Sequence, residues 1–101
     1  MNDEKYWMVI VTASECVTSH EWEGKEIAHI LARTPTKDEP DFGALMNVIT
    51  SELGIGQSID CALSLKIREA DLDNAIRNKP SISQWDSENF ELWILSRADN
   101  A

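Results

Sequence analysis

Positive charge is scarce in this sequence. The 101 residues include nine Lys and Arg against eighteen Asp and Glu, so the formal net charge is −9. A surface of this sign repels phosphate backbones and anionic lipids. The composition therefore disfavours direct binding to nucleic acid or to a membrane surface, and it favours a basic protein partner. The alternative is that the acidity serves only solubility.

Long apolar runs and an export signal are missing as well. No run approaches the ~20 apolar residues that a membrane-spanning helix needs. Residues 1–5 are polar and acidic, unlike the basic start of a signal peptide. We therefore expect a cytoplasmic protein. In that compartment we expect the two cysteines, Cys16 and Cys61, to be free thiols rather than a disulfide.

Cofactor and metal motifs are also lacking. Gly54 and Gly56 invite comparison with a phosphate-binding loop, but Ile59 stands where the third glycine is required. Cys16 and His20 form one loose pair, whereas a structural zinc site normally shows two close pairs. We therefore expect no cofactor and no metal.

The composition is typical of a single small globular domain, residues 1–101, with 43% hydrophobic residues. Residues 6–12 and 90–96 are nearly continuous apolar runs and predict strands covered on both faces or largely buried. Residues 58–67 alternate between apolar and polar side chains, which predicts a half-buried strand. Residues 25–33 fit either a strand or a helix, and their length favours a strand.

Two helices are predicted between these strands. Apolar residues recur at helical spacing from Phe42 to Leu53, with Asp41 as the N-cap and Gly54 at the C-terminal end. A shorter helix is predicted at about 69–77. The expected fold is α+β: a compact two-layer sandwich with two helices on one face of a mostly antiparallel sheet of three or four strands, in the order β-β-α-β-α-β.

Four tryptophans provide the candidate binding residues. Trp7 and Trp93 lie in apolar runs and are expected in the core. Trp22 and Trp85 are flanked by acids in predicted connectors, a pattern typical of an interface anchor with a polar rim. The alternative is that each tryptophan folds back on the sheet as a local lid. The predicted partner-binding residues are Glu21, Trp22, Glu23, Trp85, Asp86 and Glu88.

These features favour a non-enzymatic binding protein, an inhibitor that engages a basic partner such as a nuclease or another nucleic-acid-binding complex. In size and acidity the chain is similar to anti-CRISPR and other anti-defence inhibitors and to nuclease-immunity proteins, a compositional likeness that transfers no residue. One alternative is a small enzyme that uses carboxylates with His20 or His29. Another is a regulatory domain that binds a ligand or forms a homodimer by pairing 58–67 at a sheet edge.

Overall fold

The computed structural model describes residues 4–71, 73, 85–86 and 90–97. Five strands, one α-helix and two other short helical segments lie within these residues. In chain order they are β1 (Lys5–Cys16), a 3₁₀ helix (His20–Trp22), β2 (Glu26–Thr34), α1 (Phe42–Asn47), a π-helical segment (Val48–Glu52), β3 (Cys61–Glu69), β4 (Trp85–Asp86) and β5 (Glu91–Arg97).

All five strands form one antiparallel sheet in the order β3-β1-β2-β5-β4. The 12-residue β1 lies between β3 and β2, and its Val9 stands opposite Ile30 in β2 and Ile67 in β3. The predicted strands are confirmed, except that 58–60 form a turn before β3, and 25–33 is a strand. Within the described residues, β3 and β4 form the two edges of the sheet.

The main hydrophobic core lies between one face of the sheet and the segment that contains α1. Side chains of alternate residues on β1, β2 and β5 meet Leu45, Ile49 and Ile55 from that segment. The half-buried Leu63, Leu65 and Ile67 of β3 pack against the same core, and the residues between them are exposed, as the alternation predicts. This layered arrangement is compatible with the predicted α+β class.

The other face of the sheet carries a second, smaller buried cluster. It consists of Tyr6, Leu31 and Trp93, with the partly buried Ala70 and Leu95 packed against it. Strand β1 is therefore buried on both faces, as its continuous apolar run predicts. Trp7 in the main core and Trp93 in the second cluster are 5% and 3% exposed, so both predicted core tryptophans are confirmed.

Helix α1 begins where the sequence predicts. The carboxylate of Asp41 accepts a hydrogen bond from the N–H of Ala44 at 2.9 Å, which caps the first turn. Gly54 has φ +69° after the π-helical segment, a conformation that glycine adopts without strain. Phe42 is the exception to the predicted apolar stripe. Its side chain is 52% exposed, because it stands at the helix start, outside the packed turn.

The second predicted helix is not matched. Its first residue, Glu69, is the last residue of β3, where strand pairing with Trp7 continues. Asp73 is helical, but residues 72 and 74–77 around it lie outside the described residues. The predicted connector at 79–89 contains β4, which pairs with β5. The described residues thus contribute five strands to the sheet, one more than the largest number predicted.

The prediction of free thiols is wrong, because Cys16 and Cys61 form a disulfide. They face each other across β1 and β3, with their Cα atoms 4.0 Å apart. The bridge links positions 45 residues apart in sequence and fixes the end of β1 to the start of β3. No helix in the described part of the chain is long and apolar enough to span a membrane.

Candidate functional site

The connection between β1 and β2, together with the adjoining ends of the two strands (residues 15–26), forms an acidic end of the sheet that we call the hairpin tip. It holds four glutamates and one lysine, and its side chains are mostly exposed. Glu15, Glu21 and Glu23 are exposed, as is Glu26 at the start of β2. The hairpin tip therefore carries a net negative charge.

Backbone hydrogen bonds hold the tip in one conformation. Ala13 and Lys25 close the hairpin, because Ala13 donates its N–H to the carbonyl of Lys25 at 3.0 Å. Gly24, at φ +82°, donates its N–H to the carbonyl of Ala13 at 2.8 Å. Inside this closure, the 3₁₀ helix is braced by the N–H of Trp22, which donates to the carbonyl of Ser19 at 2.9 Å. The helix thus presents Glu21 from a fixed backbone.

Asp60 ties the tip to β3 beside the disulfide. Its carboxylate accepts hydrogen bonds from the hydroxyl and N–H of Thr18 and from the N–H of Ser19, the N–H contacts each measuring 3.2 Å. The side-chain bond from Thr18 does most to hold the pKa of Asp60 below its usual 3.8, and the N–H groups of Ser19 and Thr18 add to that effect. Asp60 itself has φ +32°, a conformation that these contacts maintain.

Two of the predicted binding residues have structural contacts at the tip. The Glu23 carboxylate accepts the N–H of Cys16 at 3.2 Å. Trp22 is half-buried and packs against the main core, an arrangement close to the local lid considered from sequence. Glu21, which directly precedes Trp22, is exposed. The three residues therefore differ in how much of each is open to a partner.

Sequence reasoning missed Val17. Its side chain is 73% exposed, the highest value among the large hydrophobic side chains of the described residues. It follows the bridged Cys16 directly, so the disulfide and the Asp60 contacts keep it at the surface. A single valine in a polar connector gives no periodic signal, and its exposure became visible only with the fold.

The structure separates the two tryptophans predicted to bind a partner. The backbone of Trp85 in β4 pairs with Leu92 in β5. Leu92 pairs in turn with Ala32 in β2, and Ala32 pairs with Trp7 in β1, so Trp85 lies level with Trp7 across the sheet. Trp7 stands nine residues before Cys16 on β1, a span of about 30 Å. Trp22 and Trp85 thus lie at opposite ends of the sheet. Asp86 is with Trp85 in β4, and Glu88 lies outside the described residues.

The far end of the sheet has an ion-pair network of its own. Arg33 at the end of β2 donates to Glu4 and to Glu91, each at 2.5 Å. Burial alone would lower the pKa of Arg33, but the hydrogen bonds to Glu91 and Glu4, together with their negative charges, raise it. Two carboxylates therefore share one permanently charged guanidinium.

A cavity of about 250 Å³ opens near that end. It is lined by residues 34–36 and 38–41 together with Ala44 and Phe90. Three acids, Asp38, Glu39 and Asp41, are on its wall. The carboxylate of Asp41 is already used to cap α1, as described above.

The histidines and cysteines considered as catalytic or metal-binding residues do not line this cavity in the described part of the chain. His29 Nε2 lies 2.9 Å from Glu26 Oε1, at the hairpin end of β2, whereas the cavity begins at Thr34 at the other end of that strand. Cys16 is engaged in the bridge and is not available as a ligand with His20. Among the described residues, no group of three His, Cys, Asp or Glu side chains is placed to hold a metal ion.

Comparison with known proteins gives no match to this chain, whether with protein-family models, with curated proteins or with solved structures.

Proposed function

We propose that the protein is a non-enzymatic acidic inhibitor that binds a basic, nucleic-acid-binding protein through the hairpin tip. The observation that carries the proposal is the fixed presentation of acidic side chains there. Glu15 and Glu21 are exposed, and the disulfide and Asp60 hold the backbone between them. A surface that is ordered before binding loses little conformational entropy when a partner docks.

Charge and exposed apolar surface support this assignment together. Acidic side chains speed the encounter with a basic partner through long-range attraction. Val17, at 73% exposure, provides an apolar contact at the same end of the molecule. The half-buried Trp22 contributes the exposed part of its ring. Apolar contacts bordered by charge are the usual composition of a protein interface.

The enzyme alternative has less support in the geometry. An acid–base pair acts on a substrate only when both groups reach the same bound molecule. The His29–Glu26 pair lies toward the hairpin end of β2, whereas the acid-lined cavity begins at Thr34, five residues or about 17 Å from His29 along the strand. The described part of the cavity wall contains carboxylates but no histidine. Binding therefore remains the better account of the acidic surface.

The disulfide bears on the compartment in which the protein acts. The sequence predicts a cytoplasmic protein, but disulfides persist mainly in oxidising compartments. Alkylating free thiols at the moment of lysis of the native host distinguishes these environments. Modification of both Cys16 and Cys61 supports the cytoplasm. Protection of both until a reductant is added supports an oxidising compartment.

The test of function starts by isolating the partner and then measures its binding to defined variants. Affinity capture from native host lysate at low salt provides the partner, and association kinetics follow with purified proteins. The double variant Glu15→Lys/Glu21→Lys reverses two exposed charges at the tip. Glu23 is left intact, because its carboxylate also accepts the N–H of Cys16. We expect the association rate to fall at least about tenfold and binding to weaken steeply with salt.

The matched control is Asp38→Lys/Glu39→Lys. It changes the net charge by the same amount, but at the cavity end. We expect the control to slow association much less than the tip variant does. Equal effects of the two double variants would show that only bulk charge matters. Affinity that does not change with ionic strength would contradict electrostatic steering altogether.

A further inference from the structure

Strand β3 is an edge strand with one described neighbour, β1. The directions of its backbone N–H and C=O groups can be read from the hydrogen bond just beyond its end. There Ala70 donates its N–H to the carbonyl of Tyr6 in β1 at 3.0 Å. Since hydrogen-bonded and non-bonded pairs alternate in antiparallel sheets, even-numbered residues of β3 direct their N–H and C=O groups toward β1. At the other end, the carbonyl of Asp60 accepts the N–H of Val17, which agrees with this parity.

The odd-numbered residues of β3 therefore direct their N–H and C=O groups outward. The three central ones, Leu63, Leu65 and Ile67, also have half-buried side chains at the rim of the main core. A further strand added here would satisfy these backbone groups and cover the apolar rim. Edge strands of this kind are templates for pairing.

We propose that two copies of the chain pair antiparallel through β3, with the two-fold axis at Leu65. Leu65 is the middle residue of the nine in β3, so this register pairs the strand along its full length. Leu63 then stands opposite Ile67 of the second copy, and each half-buried apolar side chain gains an apolar neighbour. The two cores become continuous across a single sheet of ten strands.

Charge favours a second copy as the occupant. Although the chain as a whole has a net charge of −9, residues 61–68 contain two bases and no acid. In the Leu65-centred register, Lys66 stands opposite Ser64 of the second copy and Arg68 opposite Ala62. No like charges face each other, and the acidic hairpin tips are not brought into the paired edge. The Leu65-centred register therefore sets apolar residues opposite apolar ones and bases opposite neutral ones, so the same patch can meet itself across a two-fold axis.

The alternative to dimerisation is that Lys66 and Arg68 keep the edge unpaired, since exposed charges on an edge strand often prevent pairing with another chain. The two roles predict different oligomeric states. Sedimentation velocity at rising micromolar concentrations should show a reversible dimer if β3 pairs. A chain that stays monomeric up to its solubility limit overturns the proposal.

Substitutions at Ser64 test the register. Ser64 is exposed. In the symmetric pair, Ser64 of each copy stands opposite Lys66 of the other, so the dimer contains this pairing two times. We expect Ser64→Lys to raise the dimer dissociation constant roughly three- to thirtyfold and Ser64→Glu to lower it by a similar factor. The matched controls are Ser96→Lys and Ser96→Glu, at an exposed serine of β5. If the Ser64 and Ser96 substitutions act alike, the dimer does not form through β3.

Amide hydrogen exchange tests the same interface without mutation. The N–H groups of Leu63, Leu65 and Ile67 point outward in the monomer and are hydrogen-bonded in the dimer. Their protection should rise with protein concentration, whereas Ser64 and Lys66 should be protected at every concentration through their bonds to β1. A dimer in which the three outward amides stay unprotected contradicts edge pairing. None of these measurements involves a basic partner, so the proposed function can fail or hold independently.

Discussion

The two ends of the sheet are stabilised by different kinds of interaction. At the hairpin tip, a disulfide and the carboxylate of Asp60 join β1 to β3. At the far end, Arg33 draws together Glu4 and Glu91, and the indole N–H of Trp7 donates to the buried hydroxyl of Thr34 at 2.9 Å. The tip is thus fixed by a covalent link and an exposed carboxylate, and the far end by partly buried polar contacts.

The hairpin tip is therefore stabilised mainly by a covalent constraint on the chain, and the far end mainly by buried polar contacts. The tip has exposed side chains and little local core, and the bridge restricts its conformations mainly by limiting the unfolded chain. The far end has buried polar atoms whose loss leaves partners unsatisfied. Substitutions at the tip should therefore loosen that end of the molecule, and their effect on stability should depend on redox state. The effect on stability of substitutions at the far end should depend on salt and on how well the replaced groups fit.

Removing the bridge should have the largest effect. For the variant Cys16→Ala/Cys61→Ala, we expect the free energy of unfolding to fall by about 2–4 kcal/mol, because the bridge closes a long loop. Urea denaturation with and without a reductant measures this loss. The reductant should destabilise the original chain by a similar amount and leave the variant unchanged. A reductant without effect on the original chain would mean that the bridge does not stabilise the fold.

The Thr34 hydroxyl should come next. Thr34→Val keeps a similar shape but leaves the buried indole N–H of Trp7 without its acceptor. We expect a loss of about 1–3 kcal/mol in the free energy of unfolding. Thr12→Val on β1 is the control, since Thr12 is only partly buried. Comparable losses in the two variants would indicate a general preference for threonine in these strands and no particular role for the Trp7 contact.

Local patterns predicted the parts of the fold that depend on short-range physics. Alternation identified the buried and exposed sides of β3, and the N-cap of α1 followed from Asp41 directly before an apolar helical stripe. The length of 25–33 was enough to favour a strand, which is β2. Each of these features depends on neighbouring residues, so a single sequence contains the signal.

Long-range pairing explains what sequence reasoning did not find. β4 has two residues, too few for any periodic pattern, and it exists because it pairs with β5. The bridge depends on the register that places Cys16 opposite Cys61, which no local pattern specifies. In the same way, strand order decides that Trp22 and Trp85 lie at opposite ends. The composition suggested one acidic binding surface, and the sheet divides its candidate residues between two.

The Arg33 network should have a smaller effect that depends on salt. Arg33→Met leaves Glu4 and Glu91 close together without a cation. Because these side chains are partly exposed, we expect a loss of only about 1 kcal/mol in the free energy of unfolding. Added salt should reduce the difference from the original chain. Arg68→Met is the control, at an exposed arginine of β3, and should change stability by less than about 0.5 kcal/mol.

Asp60 should give the smallest effect, and its pH dependence identifies it. Its pKa is lowered in the folded protein, so the ionised carboxylate stabilises the fold at pH values above its unfolded pKa. That contribution is lost as the pH falls through the lower, folded value. The difference in urea midpoint between the original chain and Asp60→Asn should therefore be constant near neutral pH and shrink below about pH 4.

A second variant assigns the cause of that shift. Thr18→Val removes the hydroxyl that does most to lower the pKa of Asp60 but keeps the carboxylate and both N–H donors. A titration followed by NMR should then show the pKa of Asp60 rising toward its usual value, with faster amide exchange confined to residues 17–19. A stability difference between the original chain and Asp60→Asn that stays constant across the acid range would mean that the carboxylate charge does not hold the tip. In that case the disulfide alone would distinguish the tip from the far end.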